Sequence, residues 1–109
     1  MDIGLVKGRH DMPVELWVLE KEIPSHLLTD FEWMEDVMYT WLLSDTCPIH
    51  VHLNLYVTGF TPIHIAFLDA WEKTRETRTG FSTLSLMHYC PVTKDYREQK
   101  WRNEQWDTE

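Results

Sequence analysis

Basic residues are scarce in this sequence. Ten Lys and Arg stand against eighteen Asp and Glu, a formal net charge of −8 with histidine neutral. A surface of that sign repels a phosphate backbone, so binding of long nucleic acid by bulk charge is excluded. It leaves room for one small phosphate-containing ligand held by local amides and a few basic side chains. It equally allows an acidic face that docks on a basic partner. Glycine and proline are few, four and five, and 43% of the residues are hydrophobic. Both numbers fit a packed globule and not a disordered chain. Cysteine occurs only as Cys47 and Cys90, far apart and without C-x-x-C spacing, which points to free thiols in a reducing cytosol. No run approaches the ~18 apolar residues of a membrane span. The opening Met1-Asp2-Ile3-Gly4 lacks the basic and apolar regions of a signal peptide. The expectation is a soluble, cytoplasmic protein without membrane contact. What the sequence has in quantity is tryptophan, six in 109 residues, which serves a core or a partner surface.

The length suits one domain over residues 1–109, with 102–109 as a polar tail that frays. Residues 2–8, with Ile3, Leu5 and Val6, read as a first strand, broken by Gly8 and Pro13. Alternation of Val14, Leu16 and Val18 gives a second strand ending near Glu22. The short connection predicts an antiparallel hairpin. Thr29-Asp30-Phe31-Glu32 matches a capping box with Thr29 as cap. Phe31, Met34, Val37, Met38, Trp41 and Leu42 then recur at helical spacing. A third strand runs from Ile49 to Val57. A second helix has Thr61 as cap, Pro62 as first residue and Ile63, Ala66, Phe67, Ala70 and Trp71 as its buried stripe. Ile65 and Leu68 widen that stripe, as if the helix touched two surfaces. A fourth strand, Phe81 to Tyr89, is followed by a turn and an antiparallel return from Tyr96 to Trp101. The order is β-β-α-β-α-β-β, a single small Rossmann-like α/β domain. Strands two, three and four are expected to be parallel between antiparallel edges, in a mixed sheet with two helices.

In such sheets ligands sit beyond the carboxyl ends of the parallel strands. Thr58, Gly59, Phe60 and Thr61 occupy that position after strand three. Gly59 allows a close approach, the two threonines offer hydroxyls, and the helix offers first-turn amides. His64 lies in that first turn. His88, at the end of strand four, is the candidate general acid-base group. Lys7, Arg9 and His10 form a second cluster that can clamp a phosphate. On an antiparallel hairpin it falls at the other end of the sheet, and it reaches Thr58 only if strand one is parallel or across a dimer. His50-x-His52 has a metal-compatible spacing but no third ligand nearby in sequence, so no metal is expected. Asp69 and Glu72 read as solvated. Neither cysteine has a His or Asp partner in sequence, and no Walker, G-x-G-x-x-G, zincin or nucleophile-elbow motif occurs, so no cofactor is expected.

The segment V-T-G-F-T-P, its helix and L-S-L-M-H-Y resemble the small Rossmann-like proteins around CRISPR and related antiviral systems. These are ring nucleases and CRISPR-associated Rossmann-fold domains, and the resemblance covers residues 49 to 100. The segment G-L-V-K-G-R-H-D-M-P is similar in character to small phage or mobile-element proteins. The resemblance implies a homodimer that binds a nucleotide or cyclic oligonucleotide at Thr58, Gly59, Thr61 and His88, with or without cleavage. A reading from a different class is a non-enzymatic, phage-type inhibitor of a defence complex (anti-CRISPR-like). It would bind its protein partner through acids and tryptophans such as Trp101 and Trp106.

Overall fold

A computed structural model describes residues 1–8, 11–47, 51–75 and 83–101. It is a small α/β domain with a five-stranded mixed sheet and two helices. The elements in chain order are β1 (Asp2–Val6), β2 (Leu16–Leu19), a 3-10 turn (Ser25–Leu27), α1 (Phe31–Leu42), β3 (His52–Tyr56), α2 (Thr61–Arg75), β4 (Thr83–Cys90) and β5 (Asp95–Trp101). The spatial order is β2-β1-β3-β4-β5.

The pairing corrects the expectation for the first two strands. β1 runs parallel to β2 and to β3, so there is no hairpin, and β1 lies inside the sheet with β2 at its edge. Two physical reasons account for this. Ile3, Gly4, Leu5 and Val6 are all buried, as expected of a central parallel strand covered on both faces, not of an alternating edge. The stretch 7–15 is also long enough to carry the chain back along the sheet. Its Met12 and the ring of Trp17 on β2 come to lie over Gly4. A Cβ on Gly4 would sit 2.5 Å from the Trp17 ring and 3.2 Å from Met12 Cε, so glycine is what allows this close cover. β3 and β4 are parallel and β4 and β5 antiparallel, as the sequence suggested.

The connections β2–α1–β3 and β3–α2–β4 step across the sheet in the same direction. Their usual right-handed sense places both helices on one face, where they pack on each other. Ile3 and Leu5, Leu53 and Leu55, and Leu84 and Leu86 point to that face and close the core with Met34, Met38, Leu42, Ile63, Phe67 and Trp71. Two helix details differ from expectation. Asp30, not Thr29, caps α1, its carboxylate accepting the Trp33 amide at 3.0 Å. An Asp at that position is at least as good an acceptor as a Thr one residue earlier. Phe31 then falls on the outside, 60% exposed, instead of in the buried stripe. In α2 the helix begins at Thr61 itself, and the stripe of Ile63, Ala66, Phe67, Ala70 and Trp71 is buried. Both cysteines are free thiols. No helix among the described residues is long and apolar enough to cross a membrane.

Candidate functional site

Because β1 is parallel to β3, their carboxyl ends lie at the same edge of the sheet, and the connections leave in opposite directions. The chain after β1 turns towards β2 and the chain after β3 towards β4. A crevice opens where such connections diverge. Here it measures about 350 Å³ and is lined by Asp11, Met12, Thr58, Gly59, Tyr89 and Tyr96. Residues from both connections and from the β4–β5 hairpin thus meet at one place. Arg9 and His10 belong to the first of these connections but lie outside the described residues, as does His50. Lys7, at the start of that connection, is exposed, with its ammonium 3.9 Å from Glu20.

Thr58 and Gly59 are in the lining, as the strand–turn–helix pattern suggested. Gly59 has no atom within 4 Å of where a Cβ would stand. Neither packing nor a left-handed backbone demands glycine there. Phe60 is half-buried against the core, and Thr61 is exposed at the start of α2.

His64 has a different role from that of a charged ligand group. It is 7% exposed, and its Nε2 lies 2.9 Å from the Thr58 amide and 3.0 Å from Thr58 Oγ1. Nε2 accepts the amide proton, so the ring's own proton sits on Nδ1, which is buried without a partner among the described residues. Burial is the main cause and nearby His88 the second in lowering its pKa to about 4. The ring is neutral at pH 7, and it holds the turn by accepting from Thr58.

His88 is exposed on the helix-bearing face of β4, in line with Leu84 and Leu86, and its Nε2 pairs with Gln99 Oε1 at 2.8 Å. It therefore stands across the strand from Tyr89 and is not part of the crevice lining. Tyr89 stands at the carboxyl end of β4, and its pairing with Tyr96 on the aromatic side of the crevice was not anticipated from the sequence. Tyr96 packs edge-on against Tyr89 and Tyr56, with ring centroids 5.5 and 4.7 Å apart. Tyr89 is 53% exposed. The phenol of Tyr56 is pushed above its usual range by burial, then by Asp2 and Tyr96. The alternation of β4 carries the missed signal, since it puts Tyr89 on the face of Ser85 and Met87, away from the helices.

That second face also carries a polar network. His52 Nδ1 lies 2.5 Å from Thr83 Oγ1 and His52 Nε2 lies 2.8 Å from Ser85 Oγ. Ser85 donates to Glu98 Oε2 at 2.6 Å. With the Ser85 proton given to Glu98, Ser85 Oγ accepts from His52 Nε2. Serine, histidine and carboxylate are present, but not in the order that nucleophilic catalysis needs. The acid sits on the serine and not on the far nitrogen of the histidine. Ser85 is also fully buried. The network fastens β3, β4 and β5 together. Asn54 likewise donates to Asp2 at 2.9 Å, linking β3 to β1.

In the β4–β5 turn, the thiol of Cys90 is held below its usual range by hydrogen bonds from the Thr93 hydroxyl and the Thr93 and Val92 amides. No cluster of three or more metal-ligating side chains occurs among the described residues. Comparison with protein-family models, with curated proteins and with solved structures finds no match to this chain.

Proposed function

We propose that this Rossmann-like domain binds a nucleotide or cyclic oligonucleotide in the crevice at the carboxyl edge of its sheet, in an antiviral-defence or counter-defence setting. The observation that carries the reading is the parallel β1. It makes the connections diverge above Thr58 and Gly59 and brings Asp11 and Met12 against Tyr89 and Tyr96. A base stacks on the exposed ring of Tyr89, whose edge contact with Tyr96 keeps it in place. The phosphate lies over Gly59, where the missing side chain leaves space, and takes hydrogen bonds from the first-turn amides of α2. Charge is supplied by the connection that starts at Lys7 and contains Arg9. A second copy of the chain, placing two crevices about a two-fold axis, suits a cyclic ligand.

The reading is binding without cleavage. His88 faces the other side of β4 and is engaged by Gln99, and His64 is neutral and engaged by Thr58. Among the described residues, the titrating groups of the lining are the Asp11 carboxylate and the tyrosine phenols.

The test is a thermal-shift screen with AMP, ATP, cyclic dinucleotides and cyclic tri- and tetra-adenylate, followed by chromatography of any ligand that raises Tm. One of these should raise Tm and be recovered intact. Tyr89→Ala should weaken it about 5- to 100-fold, the range of a lost base–aromatic stack. Failure of every nucleotide, or a ligand that binds Tyr89→Ala as well as the parent, refutes the site. Recovery of a cut product refutes the binding-only reading.

A further inference from the structure

On the helix-bearing side of the sheet, the first turns of α1 and α2 enclose a cleft of about 330 Å³ lined by Phe31, Pro62, Ile65 and Ala66, with Glu35 and Asp69 at its rim. Phe31 is 60% and Ile65 61% exposed. Both occupy helical positions where the neighbouring turn offers core residues instead. Ile65 shows the second surface that the widened stripe of α2 suggested, whereas Leu68 turned inward against the core. Lys73 of α2 pairs with Glu35 of α1 and, at 3.4 Å, with Asp69 one turn earlier on its own helix.

The charge around the cleft limits what can fill it. The cap and first two turns of α1 carry Asp30, Glu32, Glu35 and Asp36 and no basic residue. On α2 the exposed charges to this point are Asp69 and Lys73, since Glu72 is half-buried and His64 is neutral. A second copy docked here would set two acidic rims against each other in a chain of net charge −8. Residues 102–109 of the same chain, RNEQWDTE, are acidic too. We infer that the cleft is a docking site for a basic, amphipathic segment of another protein. Such a segment would seat an apolar side chain between Phe31 and Ile65 and place Lys or Arg against Glu32 and the other acids at the start of α1, or compete with Lys73 for Glu35 and Asp69. The residues that line this cleft differ from those that line the nucleotide crevice, so Phe31→Ser and Tyr89→Ala test the two separately.

The probe is a fluorescein-labelled 14-residue amphipathic peptide with Leu and Phe on one face and Lys and Arg on the other. A control peptide carries Glu at every basic position. Fluorescence anisotropy should show binding of the basic peptide alone, falling severalfold between 50 and 300 mM NaCl. Phe31→Ser and Ile65→Ser should each weaken it at least about tenfold, the value of one buried apolar side chain. Both variants should keep the parent Tm, since the side chains are exposed. Asp69→Asn should weaken binding less. The inference is overturned if the two peptides bind alike or neither binds. It is also overturned if Ile65→Ser binds the basic peptide as well as the parent, which would mark bulk charge attraction. Sedimentation velocity closes the remaining route: a dimer abolished by Ile65→Ser would make a second copy the occupant and overturn the basic partner.

Discussion

Lowering the pH from 7 to 4 is expected to cost the fold about 3 kcal/mol through His64 alone, because the unfolded chain takes up a proton there that the folded chain refuses. In the unfolded state the ring titrates near 6.5, and in the folded state near 4. The folded pKa is the lower one, so the contribution is fully present above 6.5. It is lost as the pH falls towards 4, where the folded ring also begins to protonate. At a slope of up to about 1.4 kcal/mol per pH unit for one proton, the loss is about 1.2 kcal/mol at pH 5.5 relative to pH 7. In urea that moves the unfolding midpoint by about half a molar or more. Protonation also removes the acceptor of the Thr58 amide, so the turn that lines the crevice should loosen in the same window.

His64→Gln isolates the effect, since glutamine keeps an acceptor for the Thr58 amide but does not titrate. Urea unfolding of parent and variant, followed by tryptophan fluorescence from pH 7.5 to 4, shares every other carboxylate and histidine, so their difference reports His64. The two stabilities should converge, or cross, as the pH falls below 6.5. Parallel curves between pH 7 and 5 would refute the reasoning, as would an imidazole titration midpoint near 6.5 in the folded protein. The ring ¹⁵N shifts supply a second check, because acceptance at Nε2 requires the proton on Nδ1.

Asp30→Ala should cost about 1 kcal/mol in urea unfolding and Thr29→Ala less than about 0.5, because Asp30 is the residue that accepts from the helix. Gly4→Ala should destabilise by about 1–3 kcal/mol, because the new methyl would press on the Trp17 ring. Its cost should shrink when it is combined with Trp17→Leu. Gly59→Ala should leave stability within about 0.5 kcal/mol of the parent while weakening any nucleotide that binds the crevice. Equal binding would show that the ligand does not pass over this turn.

The elements were legible in the sequence where local rules agree, and the arrangement was not where contacts are distant. In β3 and α2, strand alternation, the Thr-Gly turn, Pro62 and a helical stripe all point the same way, and the element order followed from them. The direction of β1 had no local signal strong enough. A nine-residue connection fits a hairpin as easily as a return crossover, and the decision came from burying Ile3 to Val6 between β2 and β3. That one pairing brought the chain after β1 to the edge where Thr58 stands. His64 shows a different gap. Its position in the first turn of α2 was plain, but whether it faces a ligand as a cation or the turn as a neutral acceptor depends on burial, which the one-dimensional pattern does not contain. Tyr89 stands at the carboxyl end of β4 as the strand pattern indicates, but Tyr96 was missed because the two rings meet only through the register of β4 and β5.

The two faces of the sheet support the proposed ligand site at its carboxyl edge. Parallel strands are usually covered on both sides, yet both helices here lie on one. On the other side Met12 and Trp17 lie over Gly4 of β1, and beyond them the polar side chains of β3, β4 and β5 satisfy one another. His52 joins Thr83 and Ser85, Ser85 joins Glu98, and Asn54 joins Asp2. A face whose polar atoms are paired in this way can meet water without a second helical layer. The pairing weakens towards the carboxyl edge, where the same face becomes Tyr56, Met87, Tyr89 and Tyr96, with Tyr89 largely open. Aromatic surface left uncovered beside a glycine turn and the amide end of a helix is costly to leave exposed and well suited to stacking. Covering it is the most direct role that a bound base could have in this fold.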